Sequence, residues 1–200
     1  SVWMDGVDIT TIHLDEYWRE IGYVQQTPYL FSQTIRENIA LAEPSPQDEV
    51  VDLRLLEAVK SAQLAQELES FPDGLETRVG ERGVTLSGGQ KQRTSLARAF
   101  YRDQVRLLML DDVLSAVDHH TETKLIDAIY SHEPKSTTLI VSHRMSVLQE
   151  ADRVLVLKDG QLIEQGTPDE LLQSEGVYRE AWLAQHDYQD DMTQPNPSDH

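Results

Sequence analysis

The sequence predicts an α/β fold in which a mostly parallel sheet is flanked by helices. Short apolar runs typical of buried strands occur at residues 21–24, 107–110 and 137–141. Apolar residues at helical spacing occupy much of the chain between these runs. Strands that alternate with helices in this way favour a parallel sheet. The length of 200 residues suits one domain with a sizeable core.

The remaining elements follow from local residue patterns. In chain order they are a strand at 1–4 that enters a turn at 5–6, a helix at 34–41, one or two helices at 48–69, a loop at 71–83, helices at 87–101 and 121–130, a hairpin at 153–165, and helices at 168–172 and 177–185. Thr34 and Ser87 suit helix caps, and Asp159 with Gly160 suits a hairpin turn. We predict one domain over residues 1–185 and a disordered polar tail over residues 186–200.

The composition excludes several classes of function. With 17 Lys and Arg against 35 Asp and Glu, the formal net charge is −18, which argues against non-specific binding to nucleic acid or anionic lipid. The absence of cysteine excludes disulfides and thiolate metal sites. No apolar stretch approaches the ~18 residues of a membrane span. We therefore expect any membrane association to come from another segment or another chain.

Residues 86–90 read Leu-Ser-Gly-Gly-Gln and lie at the predicted start of a long helix. Two glycines just inside a helix leave backbone N–H groups open, and together with the helix dipole these groups favour an anion. Ser87 can cap the helix or donate to a phosphate oxygen. A bare Ser-Gly-Gly also fits an ordinary capped helix, so these residues alone leave both interpretations open.

Polar side chains follow two of the predicted strands. Asp111 and Asp112 come directly after the strand at 107–110, at the sheet edge where α/β proteins bind ligands. A carboxylate there can hold Mg²⁺ directly or through water, although an acidic loop after a core strand is the alternative. His143 follows the strand at 137–141 in the same way. A lone histidine is more often structural, so its role depends on the motifs around it.

Five motifs in this order resemble those of the ATP-binding-cassette (ABC) transporter family, and the resemblance covers about residues 1–185. The family's signature matches residues 86–90 in full. The other four are the Q-loop glutamine Gln26 in Val-Gln-Gln-Thr-Pro, the Walker B aspartate Asp111, a D-loop at 115–118 that reads Ser-Ala-Val-Asp, and the switch histidine His143 in Val-Ser-His-Arg. The resemblance implies a P-loop NTPase-like (RecA-like) fold with a helical signature subdomain, and ATP and Mg²⁺ as cofactors.

The resemblance also implies a division of labour between two such domains that bind two ATP molecules head to tail. Asp111 and Gln26 would serve the Mg²⁺ in the chain's own site, where Asp112, Gln26 and His143 would be catalytic. The signature would bind the γ-phosphate of the ATP held by the partner. The cofactor-binding residues that the resemblance implies are Ser87, Gly88, Gly89, Gln90 and Asp118.

Two departures from the family pattern matter. No Gly-x-x-x-x-Gly-Lys-Ser/Thr motif occurs in the 200 residues. The family places this Walker A loop upstream of the segment that resembles residues 1–9. We therefore expect the N-terminal part of the fold to be missing and the 200 residues alone to be inactive. Asp112 stands where the family has its catalytic glutamate, and because aspartate is one methylene shorter we expect a weakened catalytic site.

Residues 77–83, Thr-Arg-Val-Gly-Glu-Arg-Gly, resemble the exporter X-loop that contacts the transmembrane domains, and residues 34–39 are also similar to exporters. We predict an ATPase module that powers substrate export at the cytoplasmic face of the plasma (inner) membrane. Its predicted partner is a second nucleotide-binding domain on a different chain, and no nucleic acid is expected. The alternatives are a mainly regulatory ATP-binding half or the ATPase subunit of an ABC importer. A soluble family member that acts on ribosomes or DNA is disfavoured by the acidic charge and the exporter-like loop.

Overall fold

The computed structural model describes residues 1–41, 53–80, 84–102, 105–115, 117–132 and 135–193. The chain forms two compact units, Ser1–Val141 and Ser142–His200. Among the described residues, no helix combines the length and the apolar character needed to span a bilayer. The sequence also predicts a proline-containing loop at residues 43–46, which falls outside the described ranges.

The first unit begins with a small antiparallel hairpin. Strands β1 (Trp3–Met4) and β2 (Val7–Asp8) pair around Asp5 and Gly6, whose φ angles of 48° and 79° suit a tight hairpin turn. A 3₁₀ turn and helix α1 (Leu14–Arg19) follow. The sequence predicted the first strand and the turn but not β2 or α1. These elements are too short to show a hydrophobic period.

A parallel sheet forms the centre of the first unit. Its strands are β3 (Ile21–Val24), β4 (Leu107–Asp111) and β5 (Thr137–Val141), in the order β3-β4-β5. The predicted mostly parallel sheet is confirmed. Because parallel strands end on the same side, the residues that follow β3 and β4 meet at one edge of the sheet.

Helices α2 (Ile35–Ile39), α3 (Leu53–Ser61), α4 (Ala65–Ser70), α5 (Gly88–Tyr101) and α6 (His119–Ser131) connect or cover the strands. Thr34 and Ser87 cap α2 and α5, as the sequence predicted. Each cap oxygen accepts a hydrogen bond from the N–H three residues later, and the side-chain oxygen of the glutamate or glutamine at that position accepts one from the cap N–H. These reciprocal caps fix where both helices begin.

One face of the parallel sheet is open. Tyr23, Met109 and Leu139 are in register across the three strands and therefore share a face. Tyr23 is 46% exposed, Leu139 is 48% exposed, and Val141, two residues along β5, is 52% exposed. Parallel sheets are normally covered on both faces. The exposed face therefore has the character of a packing surface.

The second unit is built on an antiparallel hairpin. It contains α7 (Met145–Leu148), β6 (Val154–Lys158), β7 (Gln161–Gly166), α8 (Pro168–Gln173) and α9 (Val177–Thr193). The hairpin turns at Asp159 and Gly160, whose φ angles are 50° and 76°, so the predicted turn is confirmed. Its core is formed by buried side chains of the helices and of β6, namely Met145, Val154, Leu171 and Tyr178.

Helix α9 extends past its predicted end. The sequence analysis ended this helix at residue 185 and assigned the polar residues after it to a disordered tail, but α9 continues to Thr193. The predicted end of the helix was wrong because polarity alone does not end a helix, while the domain boundary at residue 185 stays a prediction. No glycine or proline interrupts the chain between Val177 and Pro195. Residues 194–200, the rest of the predicted tail, lie outside the described residues.

Candidate functional site

Gln26 and Asp112 come together at the carboxyl edge of the parallel sheet. Gln26 follows the end of β3 by two residues, and Asp112 follows β4 directly. Although they are 86 positions apart in sequence, Gln26 Nε2 donates a hydrogen bond to Asp112 Oδ2 at 3.4 Å. The fold thus joins two side chains that the sequence analysis named separately as catalytic.

The backbone of Asp112 is held from several directions. Its φ of 48° is uncommon for a residue with a side chain, although aspartate tolerates it better than most. Its N–H donates to the Val141 carbonyl at 2.8 Å. Its carbonyl accepts Ser115 Oγ at 2.9 Å and Gln92 Nε2 at 3.3 Å. The Asp112 carboxylate is therefore presented from a fixed turn.

Gln92 connects this turn to the rest of the site. Its Nε2 also donates to the backbone carbonyl of Gln26 at 3.3 Å, and its side chain is buried on α5. The sequence analysis gave Gln92 no role. Leu96 and Ala99, four and seven positions later, are buried on the same helix face. A glutamine on a buried helix face needs hydrogen-bond partners. Its position in the helical pattern was therefore the sequence signal that could have marked Gln92 as a contact residue.

Asp111 and Gln26 fit a magnesium site of the kind that nucleotides complete. Asp111 ends β4, and its carboxylate accepts no hydrogen bond from any described residue. Gln26 uses its amide nitrogen toward Asp112, which leaves its amide oxygen available. Mg²⁺ at phosphate sites usually takes only one or two protein ligands. Among the described residues, no group of three or more His, Cys, Asp or Glu side chains is placed to hold a metal ion.

The signature residues form the capped start of α5. Ser87 Oγ accepts the Gln90 N–H at 3.2 Å, and Gln90 Oε1 accepts the Ser87 N–H at 2.9 Å. In the first turn of α5, the N–H groups of Gly88 and Gly89 have no acceptor among the described residues. The helix therefore begins with two free donors at its positive end.

Gly88 is not required by the chain's own structure. Its φ is not positive, and a Cβ built there would meet nothing within 4 Å. Glycine inside a helix lowers stability by about 0.5–1 kcal/mol relative to alanine. The open space in front of the backbone suits close approach by a ligand, which favours the anion-site interpretation over a simple cap.

Asp118 caps α6 with both carboxylate oxygens. Oδ1 accepts the Thr121 N–H at 3.0 Å, and Oδ2 accepts the Thr121 hydroxyl at 2.7 Å. The backbone hydrogen bond from Thr121, followed by the one from its side chain, lowers the pKa of Asp118 to about 2. The carboxylate thus has a structural partner. Its role in nucleotide binding stays a prediction.

We expect the Asp118 carboxyl to titrate near a pKa of about 2 in the folded chain, against 3.8 for an unperturbed aspartate. Because the folded pKa is lowered, the cap's contribution to stability is complete above about pH 4. It is lost as the pH falls through about 2. A carboxyl ¹³C NMR titration measures the midpoint. Thr121→Val, which removes the hydroxyl donor, should raise the midpoint, and a wild-type midpoint near 4 would contradict the capping geometry.

His143 lies in the second unit, and its side chain is exposed. Ser142 Oγ accepts the Arg144 N–H at 3.0 Å. Gln185 on α9 donates to the His143 carbonyl at 2.7 Å and accepts the Met145 N–H at 3.0 Å. The sequence analysis did not identify Gln185, which lay at the predicted end of its helix, where no local pattern marks a tertiary contact.

The described part of the predicted exporter loop packs against the segment after Gln26. Backbone hydrogen bonds of 2.9 and 3.0 Å join residues 77–79 to residues 33–35. A Cβ at Gly80, whose φ is 109°, would lie 2.5 Å from Ser32 Oγ, so glycine is required there. The remaining residues of this predicted contact loop, Glu81, Arg82 and Gly83, lie outside the described residues.

An apolar groove lies beside this loop. Most of its lining is apolar and consists of Pro28, Tyr29, Leu30, Val79, Val84 and Leu86, and the lining is completed by Gly80, Thr85 and Lys91. Tyr29 is 68% exposed and meets the edge of Phe31, with ring centroids 5.0 Å apart. Exposed aromatic side chains next to a groove are typical of a contact surface.

Comparison with known proteins places these features in one family. A family model described as ABC transporter matches residues 1–115. The "Putative multidrug export ATP-binding/permease protein YgaD" of Bacillus subtilis (strain 168) is 42% identical over 183 residues, which cover 92% of this chain and 31% of that protein. The "Iron-sulfur clusters transporter atm1, mitochondrial" of Neurospora crassa is 38% identical over 192 residues, with 92% of this chain and 26% of that protein covered. The chain spans about a third or less of the length of these relatives.

A solved structure of a bacterial Atm1-family ABC exporter with ATP bound is similar to this chain, with a TM-score of 0.82 and 35% sequence identity. The match covers 91% of this chain and 31% of that one. It confirms the predicted P-loop NTPase-like fold class. The family resemblance stated from the sequence motifs is confirmed as well.

Proposed function

This chain belongs to the ABC transporter family, and we propose that it hydrolyses ATP to power the export of a substrate across a membrane. Its exporter-type relatives identify an ATP-binding module of that class. The observation that carries the proposal is the junction of Gln26, Asp112 and Gln92. This junction joins the segment after β3, the end of β4 and the signature helix.

In the proposed mechanism the chain's own residues orient the attacking water and hold the nucleotide. Asp111 and the side-chain oxygen of Gln26 hold Mg²⁺, which neutralises charge on the phosphates when bound. Asp112 orients the water from its fixed turn, and Gln26 holds its carboxylate from the side. His143 contributes a contact to the γ-phosphate. Catalysis of this kind comes mainly from electrostatic positioning.

The signature acts on a second nucleotide in this proposal. The free N–H groups of Gly88 and Gly89 at the positive end of α5 bind the γ-phosphate of an ATP held by a partner domain. Ser87 and Gln90 keep the first turn rigid through their reciprocal hydrogen bonds. The partner is a second nucleotide-binding domain on a different chain.

The Walker A loop comes, in this proposal, from a segment outside these 200 residues. Support comes from the open sheet face at Tyr23, Met109 and Leu139, which needs a covering layer. A βα unit that packs on this face would bring a phosphate-binding loop to the same sheet edge as Asp111.

The groove beside residues 77–79 is the proposed contact with transmembrane domains. An exposed Tyr29–Phe31 pair and an apolar lining suit a short segment of an intracellular membrane-domain loop. Residues 77–83 would supply this contact together with the segment after Gln26. The module would then work at the cytoplasmic face of the plasma (inner) membrane.

A mainly regulatory ATP-binding half is the second candidate, because Asp112 favours it. An aspartate in place of glutamate retains the negative charge but shortens the reach toward water. In that case the chain's own site holds ATP and stabilises a closed dimer, while most hydrolysis takes place at the other site.

Replacing Gln26 by alanine tests the proposed own site. In the full-length transporter with its partner, Mg²⁺-dependent photolabelling of this chain by an azido-ATP analogue should need about 10-fold more nucleotide, because a ligand to a charged site is lost. Gln25→Ala is the matched control, since Gln25 is exposed and adjacent. Equal effects of the two substitutions would show that Gln26 is not part of the proposed site.

A further inference from the structure

One side chain of α9 holds the loop that carries His143. Gln185 Nε2 donates to the His143 carbonyl at 2.7 Å, and Gln185 Oε1 accepts the Met145 N–H at 3.0 Å. The amide therefore pairs with backbone groups on both sides of Arg144, much as a neighbouring strand would. The Arg144 N–H is itself bound by Ser142 Oγ at 3.0 Å. The short loop is thus held by the Ser142 side chain, which belongs to the loop, and by the Gln185 side chain of α9.

Core packing determines where Gln185 lies. Tyr178 is buried beside Met145 in the core of the second unit, and Ala181 and Trp182 pack against the same cluster. These residues and Gln185 are three or four positions apart and so share one helix face. Burial of that face brings the Gln185 amide to the loop.

The N-terminus of α9 is anchored by Glu164 on β7. Glu164 Oε1 accepts the Val177 N–H at 2.6 Å, and Oε2 accepts the Tyr178 N–H at 3.3 Å. A Cβ at Gly176 would lie 2.8 Å from the Glu164 carboxylate, so glycine leaves room for this contact. The helix that presents Gln185 is therefore held at its start as well as along its length.

We propose that Gln185 is a positioning residue. It holds the His143 backbone in the conformation from which the His143 side chain contacts the γ-phosphate. This makes α9 a structural part of the nucleotide sensor. The inference rests on the proposed function, because it takes His143 as the γ-phosphate contact. The His143 imidazole is exposed and forms no hydrogen bond with any described residue. Its direction therefore depends on its backbone, and a fixed backbone lowers the entropy lost on binding.

The test measures discrimination between ATP and ADP in the full-length transporter with its partner. Photolabelling of this chain by a non-hydrolysable azido-ATP analogue and by azido-ADP gives two half-saturation concentrations. We expect Gln185→Ala to weaken labelling by the ATP analogue about 10-fold and to leave azido-ADP labelling unchanged, because only the γ-phosphate contact is disturbed. A general structural defect would weaken both nucleotides equally and would overturn the proposal.

A double substitution links the effect to His143. If Gln185 acts through His143, Gln185→Ala should add almost nothing in a His143→Ala background. Additive losses would overturn the proposal. If His143→Ala alone leaves discrimination unchanged, the proposed role of His143 fails and this inference fails with it. If His143→Ala removes discrimination but Gln185→Ala does not, only the positioning role is lost.

Hydrogen–deuterium exchange of the nucleotide-free transporter gives an independent readout. Gln185→Ala should raise deuterium uptake at Met145, whose N–H loses its acceptor. Gln185→Glu keeps an acceptor for that N–H but removes the donor to the His143 carbonyl, so it should lose discrimination with less added uptake. Gln173→Ala, an exposed residue at the end of α8, is the matched control and should match wild type in both measurements. Unchanged uptake at Met145 in Gln185→Ala would overturn the proposal.

Discussion

Replacing Gly88 by aspartate is expected to reduce ATP turnover of the assembled transporter about 100-fold or more, while the free chain becomes no less stable. The carboxylate would occupy the open space in front of α5 and repel the γ-phosphate that the helix start is proposed to bind. A negative charge at this position also interacts favourably with the helix dipole, which stabilises the folded chain by roughly 0.3–1 kcal/mol. Loss of activity would then come without loss of folding.

Gly88→Ala distinguishes the effect of added side-chain volume at this position from the effect of added negative charge. No described residue lies within 4 Å of a Cβ at this position, so the free energy of unfolding should rise by about 0.5–1 kcal/mol. Turnover should fall, but less than for Gly88→Asp. Ala65→Asp is the control, because it places the same charge at the exposed first position of α4. Phosphate release measures the turnover, and thermal unfolding measures the stability of each variant. Full activity of Gly88→Asp would refute the signature's proposed role.

Local patterns predicted those parts of the fold that local physics determines. Strand β5 and the cap at Ser87 followed from an apolar run and from the preference of serine for helix starts. Helix α9 was predicted too short, since its polar C-terminal part carries no stop signal. Sequence alone therefore identified the elements better than their limits.

The candidate site divides along a similar line. Gln26 and Asp112 could be named from motifs, because each motif is a local string of residues. Gln92 and Gln185 could not, because their partners lie far away in sequence and depend on which helix face is buried. The candidate site residues could therefore be named from local motifs, whereas the contacts that hold them in place could be found only from the fold.

The conformation of Asp112 explains how an aspartate can occupy this position. Its φ of 48° lies in the left-handed region, where short polar side chains are tolerated better than longer ones. The turn is also held through the Asp112 carbonyl by Ser115 and Gln92. Asp112→Glu should therefore lengthen the reach toward water at little more than a modest cost in backbone strain. We expect it to increase hydrolysis at the chain's own site.

The asymmetry of the assembled dimer is the final expected result. The signature at residues 86–90 is intact, while we propose that Asp112 weakens the site formed by this chain's own Walker B strand. These two features serve different ATP sites in a head-to-tail dimer. An intact signature beside a weakened base fits a heterodimer whose partner carries glutamate. Replacing that glutamate by glutamine should lower turnover about 100-fold, because the main general base is lost.

Asp112→Asn in the same complex should spare most of the turnover, since we propose that the chain's own site mainly holds ATP. Phosphate release by the purified heterodimer compares the two substitutions directly, and nucleotide labelling of this chain confirms that Asp112→Asn still binds ATP. The heterodimer and the homodimer predict opposite effects of Asp112→Asn on turnover. In a homodimer both sites would depend on it, and Asp112→Asn alone would remove nearly all activity. That result would make Asp112 the working base and end the asymmetric proposal, because a base that carries most of the turnover cannot also belong to the weak site.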